Sequence, residues 1–239
     1  RQQMLRMAHA TCLAMLALLV AAAPDGAAAV FGFDVNYSDP GQKFTYTGGG
    51  DNVATLAATA TVDFTIRIDG NTPQVYDDAV LSFGGTQVDS FDFGSGNLLY
   101  FDGNFTVTDA ASGDMVLTGD FTRAHMMLMD MTSAAAISAS SDESGLALPG
   151  GMDYTAGAAF VDYMVSIGAI EEGELLGLVP TEDMSFTLTN MDYTDEPISG
   201  FTANSSFSGN AAYVPEPLTL TVLAGGGLAL LGRRRRRRD

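Results

Sequence analysis

The sequence contains no tryptophan, one cysteine and two histidines, and these scarcities exclude several kinds of site. Cys12 lies near the N-terminus, and His125 is the only histidine between residues 30 and 213. Disulfide bonds, thiol catalysis and cysteine–histidine zinc sites need more of these residues than that region holds. The lack of tryptophan also argues against a carbohydrate-binding cleft, because such clefts stack sugar rings on aromatic faces.

Basic residues are also scarce between residues 30 and 213. Lys43, Arg67 and Arg123 are accompanied there by 26 acidic residues, so this region has a net charge of −23, whereas the whole chain has −18. A field of this sign repels phosphate backbones and anionic membrane surfaces, and it attracts cations and basic partners. We therefore expect no binding to nucleic acid.

Residues 1–29 have the organisation of a secretory signal peptide. Its parts are a positive start, an apolar stretch and a small-residue end, formed by Arg1 and Arg6, by residues 10–23, and by Ala27 and Ala29. Signal peptidase requires small side chains at the two positions that Ala27 and Ala29 would occupy before the cut. We expect cleavage before Val30, with the alanines at 21–23 as a second site.

Alternation of apolar and polar residues predicts that residues 30–213 form one acidic, all-β domain. In Thr61–Ile68 the residues on one side are apolar, as expected of a strand with one buried face. Turn signals rich in glycine, asparagine and aspartate recur at roughly the eight-to-twelve-residue spacing of small β-domains. These patterns favour an antiparallel β-sandwich of jelly-roll type, with a β-solenoid as the alternative.

The same alternation gives expectations for individual elements. Phe105 and Val107 should point inward, and so should Met115 and Leu117 if Val116 faces out. A further strand is expected at Val161–Ile167. A turn or two of helix is expected near residues 170–178, before Pro180.

Few residues of this region are suited to catalysis, and we predict that the protein is not an enzyme. His125 is not accompanied by the Gly-x-Ser-x-Gly elbow of a serine hydrolase. The many carboxylates fit solvated loops and outer strand faces, although a glycosidase needs only one suitable pair of acids. A secreted carbohydrate-binding or hydrolase domain that uses loop carboxylates is therefore the alternative function.

Three acidic segments have the oxygen-rich chemistry that calcium prefers. They are Asp69–Asn71, Asp89–Asp92 and Asp102–Asn104. None has the spacing of an EF-hand, and Asp-Gly and Gly-Asn pairs are also ordinary hairpin turns. We favour turns over a calcium site here, and we predict no cofactor and no metal ligands.

The C-terminal residues 214–239 contain three parts in a fixed order. A motif comes first, formed by Val214, Pro215, Glu216 and Pro217, and an uncharged apolar segment follows over residues 218–232. Six arginines precede Asp239, namely Arg233, Arg234, Arg235, Arg236, Arg237 and Arg238. The prolines hold the motif extended, the apolar segment can enter a bilayer, and the arginines stay on the cytoplasmic side. As a helix the apolar segment would reach roughly 22 Å, short of the ~30 Å bilayer core, which suits a transient anchor.

This order of parts resembles the PEP-CTERM sorting signal of exported bacterial proteins. The resemblance is confined to residues 214–238, and it is specific because the motif, the apolar segment and the arginines occur together. It implies recognition of residues 214–217 by an exosortase-like transpeptidase and removal of the tail. The competing interpretation is a permanent C-terminal membrane anchor.

The function expected from the sequence is that of an exported, non-enzymatic protein of the cell envelope or extracellular matrix. The C-terminal segment would anchor it transiently in the inner membrane before it reaches the cell surface or the exterior. Its expected partners are signal peptidase, an exosortase-like enzyme, the membrane and, by the resemblance, exopolysaccharide of a biofilm.

Overall fold

Strands make up most of the computed structural model. The described residues are 28–35, 44–48, 54–129, 133–139, 151–173, 176–180, 184–193 and 200–215. The strands are β1 (Ala28–Val35), β2 (Phe44–Thr47), β3 (Thr55–Ile68), β4 (Gln74–Asp92), β5 (Gly96–Thr108), β6 (Met115–Met129), β7 (Ala134–Ala139), β8 (Gly151–Ala156), β9 (Leu176–Pro180), β10 (Met184–Tyr193) and β11 (Gly200–Pro215). One short helix, α1 (Ala158–Ser166), accompanies them within these stretches. The all-β prediction is confirmed, since strands account for 76% of the structure.

Eight of the strands close into an antiparallel barrel. They follow the order β1-β3-β4-β5-β6-β7-β10-β11, and β11 pairs back with β1. The predicted sandwich would need two facing sheets, and the alternative solenoid would need stacked coils, whereas here one sheet curves until its first and last strands meet. Alternation records only that one face of each strand is buried. Sandwiches and barrels share that property, so the sequence pattern could not separate them.

The two ends of the barrel differ in the strands that form them. β1 and β2 both lie between β11 and β3, one towards each end. We call the end that carries α1 and the turns at residues 69–73 and 109–114 the helix end. At the other end, residues 88–92, 96–100 and 125–129 continue past the last pair of β4 with β3, Thr86 with Thr55, and we call these three segments the flap.

Phenylalanine rings fill the barrel. The ring centroid of Phe186 lies 4.8 Å from that of Phe207 and 5.0 Å from that of Phe83. Phe105 packs edge-to-face on Phe186 at 5.3 Å, and a Cβ atom on Gly119 would collide with the Phe105 ring. Other fully buried rings belong to Phe31, Phe44, Phe64, Phe101, Phe121, Phe160 and Phe201. Because each buried ring stabilises the fold by about 1.5–3 kcal/mol, this interior is the main source of stability.

The inward-facing residues of β5 and β6 test the alternation in detail. Phe105 and Val107 are buried, as predicted. In β6 both Val116 and Leu117 are buried while Met115 is exposed, so the prediction that Met115 points inward is wrong. The register between β5 and β6 shifts at this point, and the irregularity breaks the period of two.

The strand predicted at Val161–Ile167 is also wrong, because α1 occupies most of it. The side chains that α1 buries are Phe160, Tyr163 and Met164, which have helical spacing. The sequence also has apolar residues at every second position, Val161, Tyr163, Val165 and Ile167, so it fits the period of a strand as well as that of a helix. The helix predicted near residues 170–178 is wrong too, since β9 begins at Leu176.

Two tyrosine hydroxyls fasten α1 to the helix end. The hydroxyl of Tyr76 in β4 donates to the carbonyl oxygen of Ala159 at 2.8 Å. The hydroxyl of Tyr163 in α1 donates to the carbonyl oxygen of Thr72 at 2.9 Å, in the turn between β3 and β4. The helix is therefore tied to the barrel rim by bonds in both directions.

Two β-bulges are each closed by a carboxylate of the neighbouring strand. Asp78 and Arg123 have φ angles of 55° and 50°, which residues other than glycine rarely adopt. The backbone N–H of Asp78 donates to Oδ1 of Asp63 at 3.2 Å, and that of Arg123 donates to Oδ1 of Asp102 at 2.7 Å. The strand register shifts at both places. Such bulges add the local bend that a closed barrel requires.

Two buried tyrosines should respond differently to loss of the hydroxyl group. The hydroxyl of Tyr76 donates to the carbonyl oxygen of Ala159, whereas the hydroxyl of Tyr154 is buried without a hydrogen-bond partner among the described residues. Tyr76→Phe should therefore lower the free energy of unfolding by about 1 kcal/mol, while Tyr154→Phe should leave it unchanged or raise it. Urea unfolding at pH 7 measures both values.

The same two tyrosines predict a loss of stability at alkaline pH. Burial raises the pKa of both Tyr76 and Tyr154 above the ordinary value of 10.0. The resulting stabilisation is complete below pH 10, and it is lost as the pH rises from there towards the folded-state pKa. The free energy of unfolding should fall above pH 10, and less steeply in Tyr154→Phe. If Tyr154→Phe costs as much as Tyr76→Phe at neutral pH, the Tyr154 hydroxyl has a partner after all.

Candidate functional site

The two ends of the described chain lie side by side. β1 starts at Ala28 and β11 ends at Pro215, and the two strands run antiparallel, with Ala28 opposite Ala212. Since β1 starts and β11 ends at the helix end, the chain enters and leaves the barrel there. The two segments predicted to be export signals therefore join the same end of the barrel.

The predicted signal-peptidase site overlaps the start of the barrel. Ala27 lies outside the described residues, but Ala29 belongs to β1 and is 0% exposed. It is paired with Ile68 on one side and Ala211 on the other. Cleavage before Val30 would remove two residues of this strand, whereas cleavage among the alanines at 21–23 would leave the strand complete.

The predicted sorting motif begins inside the last strand. Val214 and Pro215 are the final residues of β11, and they pair with Gly177 and Leu176 of β9. Glu216, Pro217, the apolar segment at residues 218–232 and the arginines at 233–238 lie outside the described residues. Within the described stretches, no helix is both long enough and apolar enough to cross a membrane.

A second cluster of interest lies on the outer face of the sheet where the flap begins, and it centres on Arg123. A guanidinium nitrogen of Arg123 lies 3.2 Å from a carboxylate oxygen of Asp89, and the guanidinium carbon lies 4.7 Å from the ring centroid of Tyr100. Together with the bond from the Arg123 N–H to Asp102, these contacts join β4, β5 and β6. Both side chains of the ion pair are partly exposed, so the pair itself is worth less than about 1 kcal/mol.

The outer face of the flap is also unusually apolar. Phe91 is 62% exposed and Met127 is 54% exposed, and both stand in register with Leu98 between them. Other exposed apolar residues of this end are Val88, Phe93 and Met129. Because the rest of the region is strongly acidic, this face is the most evident apolar contact surface among the described residues.

His125 is placed on the outer face next to this cluster. It is half-buried in β6, opposite Tyr100 of β5 and Ser138 of β7. Its register partners across the sheet thus carry a phenol and a hydroxyl.

Carboxylates of the acidic segments considered for calcium form hydrogen bonds and an ion pair within the protein. Asp69–Asn71 does lie in a turn, but Asp102–Asn104 lies within β5 and Asp89–Asp92 ends β4, so the turn prediction is wrong for these two. The carboxylate of Asp92 accepts the N–H of Gly94 at 2.7 Å, while Asp89 and Asp102 bind Arg123. The described residues bring no three metal-ligating side chains together.

The Arg123 cluster was missed by sequence reasoning. Its members come from three strands, and pairing of Asp89 with Arg123 depends on a register that no local motif encodes. The one available signal was the rarity of basic residues: an arginine in a region of charge −23 is expected to have a carboxylate nearby.

Comparison with protein families, with curated proteins and with solved structures finds no match to this chain.

Shortening the N-terminus should show how much the first residues of β1 contribute. A chain that begins at residue 30 lacks the strand pairs of Ala28 and Ala29. Its free energy of unfolding should be about 1–3 kcal/mol lower than that of a chain that begins at residue 24. Urea unfolding of residues 24–215 and 30–215 measures the difference. A chain that begins at residue 27 is the control for length and should match the longer form. Equal stability of all three would show that Ala28 and Ala29 are dispensable.

Proposed function

We propose that this chain is an exported protein of the cell envelope or extracellular matrix, sorted by an exosortase-type system. The observation that carries the proposal is the order of Pro-Glu-Pro motif, apolar segment and arginine block, which begins within the last strand of the barrel at Pro215. The apolar segment at residues 218–232 would hold the chain in the inner membrane until the transpeptidase acts. The tail would then be lost, and the acidic barrel would reach the cell surface or the exterior.

For the exported barrel we propose a structural or adhesive role that involves exopolysaccharide. Two features support it. The interior is occupied by aromatic side chains, so a partner would be met on the outer surface. The acidic exterior also attracts cations, which can bridge it to other acidic polymers.

Carbohydrate binding or hydrolysis is the second candidate. The exposed Phe91 beside Asp89 and Tyr100 favours binding, because an open ring next to polar groups can stack a sugar. Retention of the barrel on immobilised polysaccharide should then be lost in Phe91→Ala. Equal retention of the two proteins would remove this candidate.

Sorting is tested by the mass of the C-terminus. The chain is expressed in a bacterial host with an exosortase and in the same host without it. With the enzyme, the barrel should be found outside the inner membrane and without its arginine block. Without the enzyme, the full tail should remain and the chain should stay in the membrane fraction.

Variants of the tail make the test specific. Glu216→Ala alters the motif and should abolish processing, whereas Asp239→Ala lies beyond the arginines and should be processed normally. An intact arginine block on the exported form would contradict sorting and would favour the permanent anchor.

A further inference from the structure

We propose that the anchored barrel stands with its helix end against the outer surface of the membrane and points its flap away from it. This inference rests on the proposed function, because it assumes that residues 218–232 are in the bilayer. It adds an orientation, in which the exposed apolar face of the flap is held away from lipid.

The first argument is the length of the C-terminal tether. Pro215 is still paired with Leu176 of β9, and the apolar segment begins at Leu218. Only Glu216 and Pro217 lie between them. A chain gains at most about 3.6 Å per residue, so Pro215 can lie no more than roughly 11 Å from the start of the membrane segment.

The second argument is the position of the N-terminal tether. Before cleavage the apolar stretch of the leader ends at residue 23, four residues before Ala28. Ala28 is paired with Ala212, so the leader joins the barrel beside the tail. The link between residue 23 and Ala28 spans at most roughly 18 Å, so the opposite end of the barrel cannot face the membrane. The leader therefore requires this orientation before signal-peptidase cleavage, and the C-terminal segment requires the same orientation afterwards.

The third argument concerns what holds the helix end at the surface. Asp69, Asp109, Asp114 and Asp162 lie on the turns and the helix of this end. The Ser112 hydroxyl and the Ala111 N–H hold the pKa of Asp109 below its usual range, which keeps that carboxylate ionised. Such charges are repelled by anionic lipid, so contact is imposed by the short tether and not by attraction. A longer tether should let the barrel move away.

The fourth argument is the distance to the flap. β4 runs from Gln74 at the helix end to Asp92 in the flap. At about 3.3 Å per residue and the usual tilt of barrel strands, this places the tip of the flap roughly 45 Å from the helix end. Phe91 and Met127 would then be displayed well beyond the lipid headgroups.

Fluorescence quenching by lipid can measure this orientation. Residues 30–213 contain no cysteine, so a Cys12→Ser background allows one probe at a time. Ala110→Cys places the probe in an exposed turn of the helix end, and Ser95→Cys places it at the tip of the flap. The full chain is produced without an exosortase, and its membrane vesicles receive lipids with a nitroxide on the headgroup. The probe at residue 110 should lose most of its fluorescence, and the probe at residue 95 should lose almost none.

A longer tether provides the matched control. Ten glycine and serine residues inserted between Glu216 and Pro217 add roughly 17 Å of mean reach. This variant should remain in the membrane fraction and should recover most of the fluorescence at residue 110.

The outcomes separate the orientation from the proposed function. Equal quenching at both positions, stronger quenching at residue 95, or no quenching at residue 110 in a membrane-bound chain would overturn the orientation alone. If the full chain is absent from the membrane fraction, the proposed function fails and the orientation fails with it.

Discussion

The pairing of β1 with β11 is the constraint on which the rest of the structure depends. It joins the first described strand to the last and turns an open sheet into a barrel. Closure encloses the phenylalanine rings, so Phe186 and Phe207 are buried from all sides and not on one face only. It also removes the sheet edges at which unpaired backbone groups would invite aggregation. The same pairing sets the two ends of the chain next to each other.

Neighbouring termini give the two predicted export signals a shared point of attachment. A leader and a tail that attached to opposite ends of the barrel could not both hold the same end near a membrane. Here both attach at the helix end, which α1 closes through Phe160 and two tyrosine hydroxyls. The opposite end carries the Arg123 cluster and the exposed apolar residues of the flap. The fold thus separates the end that joins the predicted export signals from the end that displays the exposed apolar residues.

The sequence predicted what is local and missed what depends on distant pairing. Alternation in β3 and β5 identified inward residues such as Ile66 and Phe105, because a strand with one buried face repeats every two residues. Closure could not be foreseen, since nothing near Ala28 records that Ala212 will lie beside it. α1 was taken for a strand because its apolar residues fit both periods. The predicted terminal signals depend on contiguous composition alone and stay predictions, whereas the cluster of Asp89, Tyr100 and Arg123 exists only after three strands align.

The most direct test of the central claim is the distance between the first and last strands. Nitroxide labels at Ala28→Cys and Ala212→Cys, in residues 24–215, should broaden each other's spectra strongly. Opposite residues of an antiparallel pair have Cα atoms only about 4.5–5.5 Å apart. A second pair, Ala28→Cys with Ser95→Cys, spans the barrel from end to end and should show no broadening. If the spectrum of the first pair equals the sum of its single-label spectra, the barrel is not closed through β1 and β11, and the shared attachment of the two predicted signals is lost with it.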